Sequence, residues 1–313
     1  MKRHLIIAAM MTAVASSSAI AQSPTGMFSI IKTNSQPTSP TEIDAKMFEN
    51  IDTSVYECIY NYEMSSYKLN EKNTSSPFSS QKANENAEKA IDQTYTILQI
   101  GNNLSKFYDY TQYRADSATI AQADRDVIND YITQTHLNPS YFTTCVFQNH
   151  PEGSMTIDDE ALQQTLTYNQ PLDHTEWNLT GDTLTIEGYL CYKATASFGG
   201  RNWEVWYTEE IPVIYGPWKF FGLPGLTIRA NDSEHIHNFS LATFRKSSSP
   251  IVRIKNSKRI ASERKKIIEL KSSNAKLDPS QITEITIIKD KSIIINGQIW
   301  RKRNNQQIPL ELK

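Results

Sequence analysis

The stretch Gly216–Leu226 (GPWKFFGLPGL) holds three glycines, two prolines and five large apolar residues in eleven positions. Glycine adopts positive φ angles that other residues avoid, whereas proline fixes φ and donates no backbone hydrogen bond. The stretch therefore predicts a shaped corner between two strands, with large side chains aimed by the backbone.

The segments on both sides of this corner are rich in β-branched and aromatic residues, which favour strands. Strands are expected at 183–197, 202–208, 226–230 and 236–244, with turns at 178–182, 198–200 and 231–233. Successive side chains of a strand point to opposite faces, so Trp203 and Tyr207 share one face of 202–208 while Trp206 lies on the other. Aromatic bulk on both faces predicts that this strand is covered on both sides.

The rest of the chain also alternates between strand patterns and turns. Strands are expected at 55–64 and 141–148, hairpins at 92–100 with 104–110 and at 282–288 with 292–300, and helices at 117–134, capped by Ser117, and at 262–270. Residues 70–90 suggest a loop with a short helical piece, and 155–168 fits either a strand plus a short helix or an irregular arm. The expected fold is mainly β (α+β), a curved antiparallel sheet or half-barrel-like structure with two or three peripheral helices.

Composition excludes two broad classes of protein. The 313 residues are 39% hydrophobic and 21% charged, with 32 basic and 34 acidic side chains. This near-neutral balance gives no reason to expect a nucleic-acid partner. After the N-terminus there is no apolar run of the length that a membrane helix needs, so an integral membrane protein is not expected.

The N-terminus has the pattern of an export signal. Lys2-Arg3-His4 is followed by an apolar stretch at 5–14 and by the small-x-small site Ala19-Ile20-Ala21. We expect a signal peptide at 1–21, a loose lead-in rich in Ser, Thr and Pro at 22–48, and a single β-rich domain at 49–313. The mature protein is then exported and either periplasmic, associated with the outer membrane, or secreted.

The three cysteines are Cys58, Cys145 and Cys191. In an exported protein one pair can form a disulfide and leave one thiol, but the spacing does not choose among the three pairings. Three buried, reduced cysteines are the alternative.

Several motifs around the corner resemble the GLPGLI family, which consists of exported Bacteroidota proteins whose function is not established. The name motif is present as Gly222-Leu223-Pro224-Gly225-Leu226-Thr227, with Thr where the family usually has Ile. Further matching motifs lie at 188–189, 191–195, 199–203, 206–208, 211–212 and 216–217, and residues 308–312 are similar to the family's usual C-terminal tail. The resemblance implies export and an envelope location, and it implies no activity.

Aromatic and cationic residues concentrate at this corner. Such a set can bind a lipid headgroup or another anion beside a surface of rings; the alternative is that the rings fill a core and the cations cover a sheet. The candidate ligand-binding residues are Arg201, Trp203, Trp206, Tyr207, Trp218, Lys219, Phe221 and Leu223, with Phe220 beside them and Lys193 and Arg229 as further cations.

A basic run is the other charged feature of the sequence. It can contact an anionic membrane surface or form a solvated face. Its members are Arg253, Lys255, Lys258, Arg259, Arg264, Lys265, Lys266 and Lys271.

Metal and catalytic patterns are weak. His235 and His237 flank Ile236 and would point the same way on a strand, but a convincing third ligand is missing, so no metal or other cofactor is expected. Serine-hydrolase, zinc-protease and phosphate-loop motifs are absent from the sequence. The carboxylates near the corner, Glu187, Glu204, Glu209 and Glu210, fit cross-strand salt bridges as well as acid–base chemistry.

Three functional hypotheses follow. The first is a non-enzymatic envelope protein that binds an apolar ligand or lipid in a groove near the corner. The alternative is an interaction module that docks on an outer-membrane or surface protein complex, which predicts an exposed apolar patch. The third is an enzyme, which requires a carboxylate or histidine in the same groove.

Overall fold

The computed structural model describes residues 44–68, 89–137, 142–161, 164–173, 175–255, 259–272, 285–287, 292–295, 298–301, 305–306 and 310–311. The chain divides into two compact units. The described residues of the smaller unit lie between Asp278 and Lys302, and the larger unit contains the others. Residues 1–43, with the expected export signal and most of the lead-in, lie outside the described residues. Of the loop expected at 70–90, only residues 89–90 are described, and they belong to a strand.

The described part of the chain contains the following elements. The strands are β1 (Phe48–Lys68), β2 (Lys89–Gly101), β3 (Ser105–Asp109), β4 (Thr144–Gln148), β5 (Ser154–Ala161), β6 (Gln164–Pro171), β7 (Asn178–Ile186), β8 (Tyr189–Phe198), β9 (Arg201–Thr208), β10 (Leu226–Asp232), β11 (His237–Lys246), β12 (Pro250–Ile254), β13 (Arg259–Ala261), β14 (Ile285–Ile287), β15 (Ser292–Ile295), β16 (Gln298–Arg301) and β17 (Asn305–Gln306). The α-helices are α1 (Tyr110–Ile120), α2 (Arg125–Leu137) and α3 (Arg264–Ser272), and a short 3₁₀ helix covers Ala45–Met47.

One large open sheet dominates the larger unit. Its order is β13-β6-β5-β4-β3-β2-β1-β11-β10-β9-β8-β7, and β12 and β17 also pair with β1. Neighbouring strands run antiparallel except for the parallel pair β13 and β6. The predicted mainly β (α+β) class, with a curved antiparallel sheet and two or three helices, is confirmed, and the sheet is open. In the smaller unit, β14, β15 and β16 form an antiparallel sheet of their own.

Strand β1 shows how the sequence pattern sets the two faces of the sheet. Cys58, Tyr60, Tyr62 and Met64 alternate along it and belong to the main hydrophobic core. The residue between two of them, Ile59, points to the opposite face, into a smaller cluster beside α1. A strand with apolar residues on both faces is expected where both faces are covered.

The helical region differs from its prediction. One helix was expected at 117–134 with Ser117 as its cap, but the structure has two, α1 and α2. The side chain of Asp109 caps α1 by accepting a hydrogen bond from the backbone N–H of Gln112, and Ser117 lies inside that helix. The break follows from a positive φ of 52° at Gln122.

Two strand predictions were also wrong in detail. The single strand expected at 183–197 is the hairpin of β7 and β8, which turns at Glu187 and Gly188, both with positive φ. The turn expected at 178–182 is instead the first part of β7. Residues 155–168, for which the sequence left two structures possible, lie in the hairpin of β5 and β6. The strand expected at 292–300 is two strands, β15 and β16.

The three cysteines are free thiols, and Cys58 and Cys191 are buried in the main core. Cys145 is half-buried, so the alternative of three buried, reduced cysteines agrees with the structure in burial for two of the three. Among the described residues, the helices are too short or too polar to cross a membrane.

Candidate functional site

The Gly-Pro stretch forms the shaped corner that the sequence predicts. The backbone N–H of Gly216 donates to the carbonyl oxygen of Phe220 at 2.9 Å, and that of Gly222 donates to Ile214 at 2.9 Å. Trp218 has a φ of 52° and Gly222 a φ of 90°, a region that glycine enters without strain and other residues avoid. The corner therefore depends on tertiary contacts that hold Trp218 in an unfavourable backbone conformation.

A buried glutamine on β4 supplies such a contact. The Nε2 of Gln148 lies 3.2 Å, 3.0 Å and 3.1 Å from the carbonyl oxygens of Gly216, Trp218 and Phe220. Its Oε1 accepts a hydrogen bond from the Ser105 hydroxyl at 2.9 Å. One amide thus holds three carbonyls of the corner, although it lies about seventy residues away in the sequence.

Close approach of the corner to β9 explains another glycine. A Cβ placed on Gly225 would overlap the carbonyl oxygen of Thr208. Only a residue without a side chain fits between the corner and the end of β9.

Most rings of the corner lie in the core. Trp203, Trp218 and Phe220 are each 1% exposed, and their ring centroids lie 5.1 to 5.6 Å apart. Leu223 is buried beside them at 3% exposure. These four side chains pack against protein, so the predicted groove cannot be lined by their exposed faces, and their role in ligand binding stays a prediction.

The other predicted aromatic residues are distributed over both faces of the sheet. Tyr207 is buried. Trp206 lies half-buried on the opposite face, where its Nε1 donates to Glu204 at 3.0 Å and Lys193 lies 5.7 Å from its ring. Phe221 is half-buried, and its carbonyl oxygen accepts a hydrogen bond from the Trp177 indole at 2.8 Å. The structure therefore does not bring the whole set together.

The two cations singled out at the corner are both buried. Arg201 donates through one guanidinium nitrogen to Asp232 at 2.7 Å, and both side chains are almost fully shielded from solvent. Asp232 also accepts from the backbone N–H groups of Ile236 and His237 at 2.7 and 3.0 Å. The Nε of Arg201 donates to the carbonyl oxygen of Leu310 at 3.1 Å.

Lys219 is 1% exposed and lies in a dense polar cluster. Its ammonium group lies 2.6 Å from the hydroxyl of Tyr168, 3.1 Å from Oε1 of Gln170 and 2.6 Å from Oε1 of Glu311. Burial lowers the pKa of Lys219, and the neighbouring Glu311 only partly opposes this shift. Burial and Glu311 together raise the pKa of Tyr168, so its hydroxyl stays protonated.

Glu311 completes this cluster from a segment far along the chain. Arg264 of α3 lies 3.3 Å from its second carboxylate oxygen. Burial alone would raise the pKa of Glu311, but Lys219 and Arg264 outweigh burial and lower it. Arg201 and Lys219, two predicted site residues, therefore both bind the segment that contains Leu310 and Glu311.

Sequence reasoning missed most of these partners. Tyr168, Gln170 and Gln148 lie in strands whose polar residues carry no motif. The similarity of residues 308–312 to a family tail marked the segment, but it did not indicate where the segment binds.

The arginines of the basic run lie against carboxylates, whereas Lys255, Lys265 and Lys266 are exposed. Arg259 and Arg253 lie 2.6 and 3.6 Å from the same carboxylate oxygen of Asp158, and Arg264 contacts Glu311. Lys258 and Lys271 fall outside the described side chains.

The prediction that His235 and His237 point the same way on one strand was wrong. His237 begins β11 and is fully buried, with its Nδ1 2.9 Å from the hydroxyl of Tyr62. His235 lies in the preceding turn with a φ of 53°, so the two do not share one strand face. No group of three potential metal ligands was found among the described residues.

One edge of the sheet carries exposed apolar side chains, and others, such as Ile91 and Tyr95 on β2, lie elsewhere on the described surface. Strand β7 ends the sheet order, and eight of its nine residues are exposed. Leu179 and Leu184 on β7 are 55% and 45% exposed, and Leu190 on β8 is 45% exposed. We call β7, with the exposed side chains of Leu179, Leu184 and Leu190, the apolar edge.

The protein is therefore mainly β, with an exposed strand β7 at one edge of its sheet and a buried ionic cluster around Lys219 at the corner. A family model described as "Protein of unknown function (Porph_ging)" matches residues 199–229, which contain β9, the corner and the start of β10. No curated protein matches the chain.

Two solved structures show distant similarity. "Structure of PNGF-II in C2 space group" is 14% identical with a TM-score of 0.42, covering 70% of this chain and 32% of that chain. "Structure of PNGF-II in P21 space group" is 13% identical with a TM-score of 0.40, covering 77% of this chain and 36% of that chain. The chain thus spans about a third of the length of these structures, and similarity at this level carries no information on activity.

Proposed function

We propose that the protein is a non-enzymatic interaction module that binds an extended segment of a partner protein along strand β7. The observation that carries this proposal is the exposed apolar edge of the sheet. Among the described residues, β7 pairs with β8 alone. Lysine and proline, which often protect such edges, are absent from β7 (NLTGDTLTI), and a bulge between Leu179 and Thr183 leaves Thr183–Ile186 as its regular part.

The hydrogen-bonding pattern of the hairpin specifies the chemistry of the occupant. Ile186 and Tyr189 flank the two-residue turn, and antiparallel pairs alternate between bonded and non-bonded positions from there. Thr185 pairs with Leu190 at a non-bonded position, so its N–H and C=O point to the open edge. An extended polypeptide backbone satisfies such groups, and pockets between alternate side chains provide specificity.

The side chains around this edge favour an apolar partner strand. Leu179 and Leu184 are exposed on β7 itself. Its one acidic residue, Asp182, lies 3.9 Å from Lys193 on β8, and Lys193 also pairs with Glu204 at 2.8 Å, so β7 itself contributes at most one negative charge.

Binding of an apolar ligand or lipid at the corner is a second candidate. The burial of Trp203, Trp218 and Phe220 weakens it, because these rings already pack against one another. An observation in its favour is the Nε1 of Trp203, a buried donor without a hydrogen-bond partner among the described residues. Native mass spectrometry of the purified protein tests this candidate, since a co-purifying mass that disappears in Trp203→Phe would support it.

The cellular setting belongs to the same proposal. The basic, apolar and small-residue pattern at 1–21 supports export, and the GLPGLI resemblance supports an envelope location. A partner in the outer membrane or at the cell surface is therefore the natural candidate for the segment that β7 binds.

Selection of short random peptides on the immobilised protein tests the edge. We expect the selected peptides to alternate apolar and polar residues, because a strand places alternate side chains on one face. Thr185→Pro removes the outward N–H and keeps the bonds to β8, so it should weaken binding by about tenfold. Thr185→Val retains the N–H and serves as the matched control.

Two outcomes contradict the proposal. The first is that selected peptides bind Thr185→Pro as tightly as the wild-type protein. The second is that sedimentation shows a dimer of the wild-type chain that Thr185→Pro dissociates, which would assign the edge to a second copy of this chain.

A further inference from the structure

The segment Leu310–Glu311 occupies the corner as a peptide ligand would. It belongs to no helix or strand. The groups that hold it come from four separate parts of the larger unit: β6, β9, the corner and α3. A short, irregular segment held by so many elements resembles a bound peptide more than a structural element of its own.

The side chain of Glu311 fills a site with donors suited to a carboxylate. One oxygen accepts from Lys219 at 2.6 Å. The other lies 3.3 Å from the Nε of Arg264 and 3.4 Å from the hydroxyl of Tyr168. These charge-assisted contacts distinguish a carboxylate from a neutral amide, because the cations gain little from an amide oxygen.

The site also recognises the preceding residue. The Nε of Arg201 donates to the carbonyl oxygen of Leu310, and the Leu310 side chain packs against the main core. Gly199 makes room for the carboxylate, because a Cβ at that position would lie 3.2 Å from Cγ of Glu311. The φ of Gly199 is 63°, which further restricts the position to glycine.

The charges explain why this site needs an anionic occupant. Lys219 and Arg264 provide two cations beside Glu311, and Asp159 contributes a more distant negative charge. Without Glu311, the buried ammonium of Lys219 would keep only the neutral oxygens of Tyr168 and Gln170 as close partners. An occupant that displaces Glu311 must therefore bring a carboxylate of its own.

We propose that the corner is a recognition site for an extended peptide segment in which an apolar residue precedes a glutamate, that Leu310–Glu311 fills it in cis, and that such a segment of a partner protein exchanges with it. The recognised features are one main-chain carbonyl, one apolar side chain and one carboxylate. This site is separate from the β7 edge, so Thr185→Pro leaves it unchanged, and failure of one proposal does not imply failure of the other.

Binding of a synthetic peptide to the full-length chain tests the exchange. The probe is a fluorescent peptide with the sequence of residues 307–313, QIPLELK, and its control has glutamine in place of glutamate. In the variant Glu311→Gln the resident segment loses its charge but keeps its size. We expect fluorescence anisotropy to show that the glutamate peptide binds this variant about tenfold more tightly than the glutamine peptide.

Two comparisons make the result specific. Wild-type protein should bind the glutamate peptide more weakly than Glu311→Gln, because Glu311 competes in cis. Adding Lys219→Met to Glu311→Gln should reduce the discrimination between the two peptides, because only Arg264 then remains as a cation of the site. Equal binding of the two peptides by folded Glu311→Gln, verified by circular dichroism, would overturn the proposal.

A second measurement needs no substitution. A peptide with a photoreactive leucine at the position of Leu310 is irradiated with wild-type protein, and the crosslinks are mapped by mass spectrometry. Labelling should concentrate at residues 198–201 and decrease with excess unlabelled peptide. Labelling spread over the surface as it is for a scrambled peptide would refute the exchange.

Discussion

Gln148 should be a main determinant of the stability of the corner. In Gln148→Leu the carbonyl oxygens of Gly216 and Trp218 lose this donor inside the core, whereas that of Phe220 retains the bond from the Gly216 N–H. A buried polar group without a hydrogen-bond partner lowers the unfolding free energy by about 1–3 kcal/mol, so two such groups lower it by roughly 2–6 kcal/mol. For a unit of this size, about 4 kcal/mol lowers the melting temperature by roughly 8–16 °C.

The assay is urea and thermal unfolding followed by tryptophan fluorescence. Gln148 is fully buried, whereas Gln93 is exposed and its amide donates to Oδ1 of the half-buried Asn61. Gln93→Leu is therefore the matched control and should change the unfolding free energy by less than about 0.5 kcal/mol.

The isosteric variant Gln148→Glu separates volume from hydrogen bonding. It places an acceptor against three carbonyl oxygens, so its loss of stability should be at least as large as that of Gln148→Leu. A loss below about 1 kcal/mol in both variants would show that the amide does not hold the corner.

Three further predictions concern the core, the ionic cluster and the edge. Trp218→Ala should lower the unfolding free energy by about 3–5 kcal/mol in chemical denaturation, because it empties a filled aromatic core; a loss near zero would place this ring on a surface. The folded-state pKa of Glu311 lies below its ordinary value of 4.5, so its contribution to stability is complete above pH 4.5 and decreases as the pH falls through the folded-state pKa. The stability difference between wild type and Glu311→Gln should therefore shrink in acid, and a difference independent of pH would exclude the ion pair as its source. Leu184→Lys should leave the melting temperature unchanged and abolish peptide binding at β7, which differential scanning fluorimetry and peptide titration measure together.

Much of the sheet could be predicted because its signals are local. The alternation of Cys58, Tyr60, Tyr62 and Met64 set the buried face of β1, and Gly199-Gly200 set the turn between β8 and β9. Prediction failed where a turn lacked a strong signal. Glu187-Gly188 interrupts a run of strand-forming residues, and only the pairing of both arms shows that it is a hairpin.

The ligand-binding role predicted for the corner residues stays a prediction. Arg201 and Lys219 lie at the corner, but the sequence could not show that they are buried against Asp232 and Glu311. The rings at the corner have the same composition whether they line a groove or fill a core. Their burial depends on which faces of distant strands pack together, and sequence pattern does not contain that information.

The sequence by itself determined most of the strand content, the position of the Gly-Pro corner and the accumulation of rings and cations around it, because backbone preferences and side-chain alternation act over a few residues. The tertiary structure decided which residues meet: Gln148 with the carbonyls of the corner, and Glu311 with Lys219 over a separation of ninety-two residues. Such contacts depend on the folded path of the whole chain, because a buried donor or charge is stable only where folding brings it a partner.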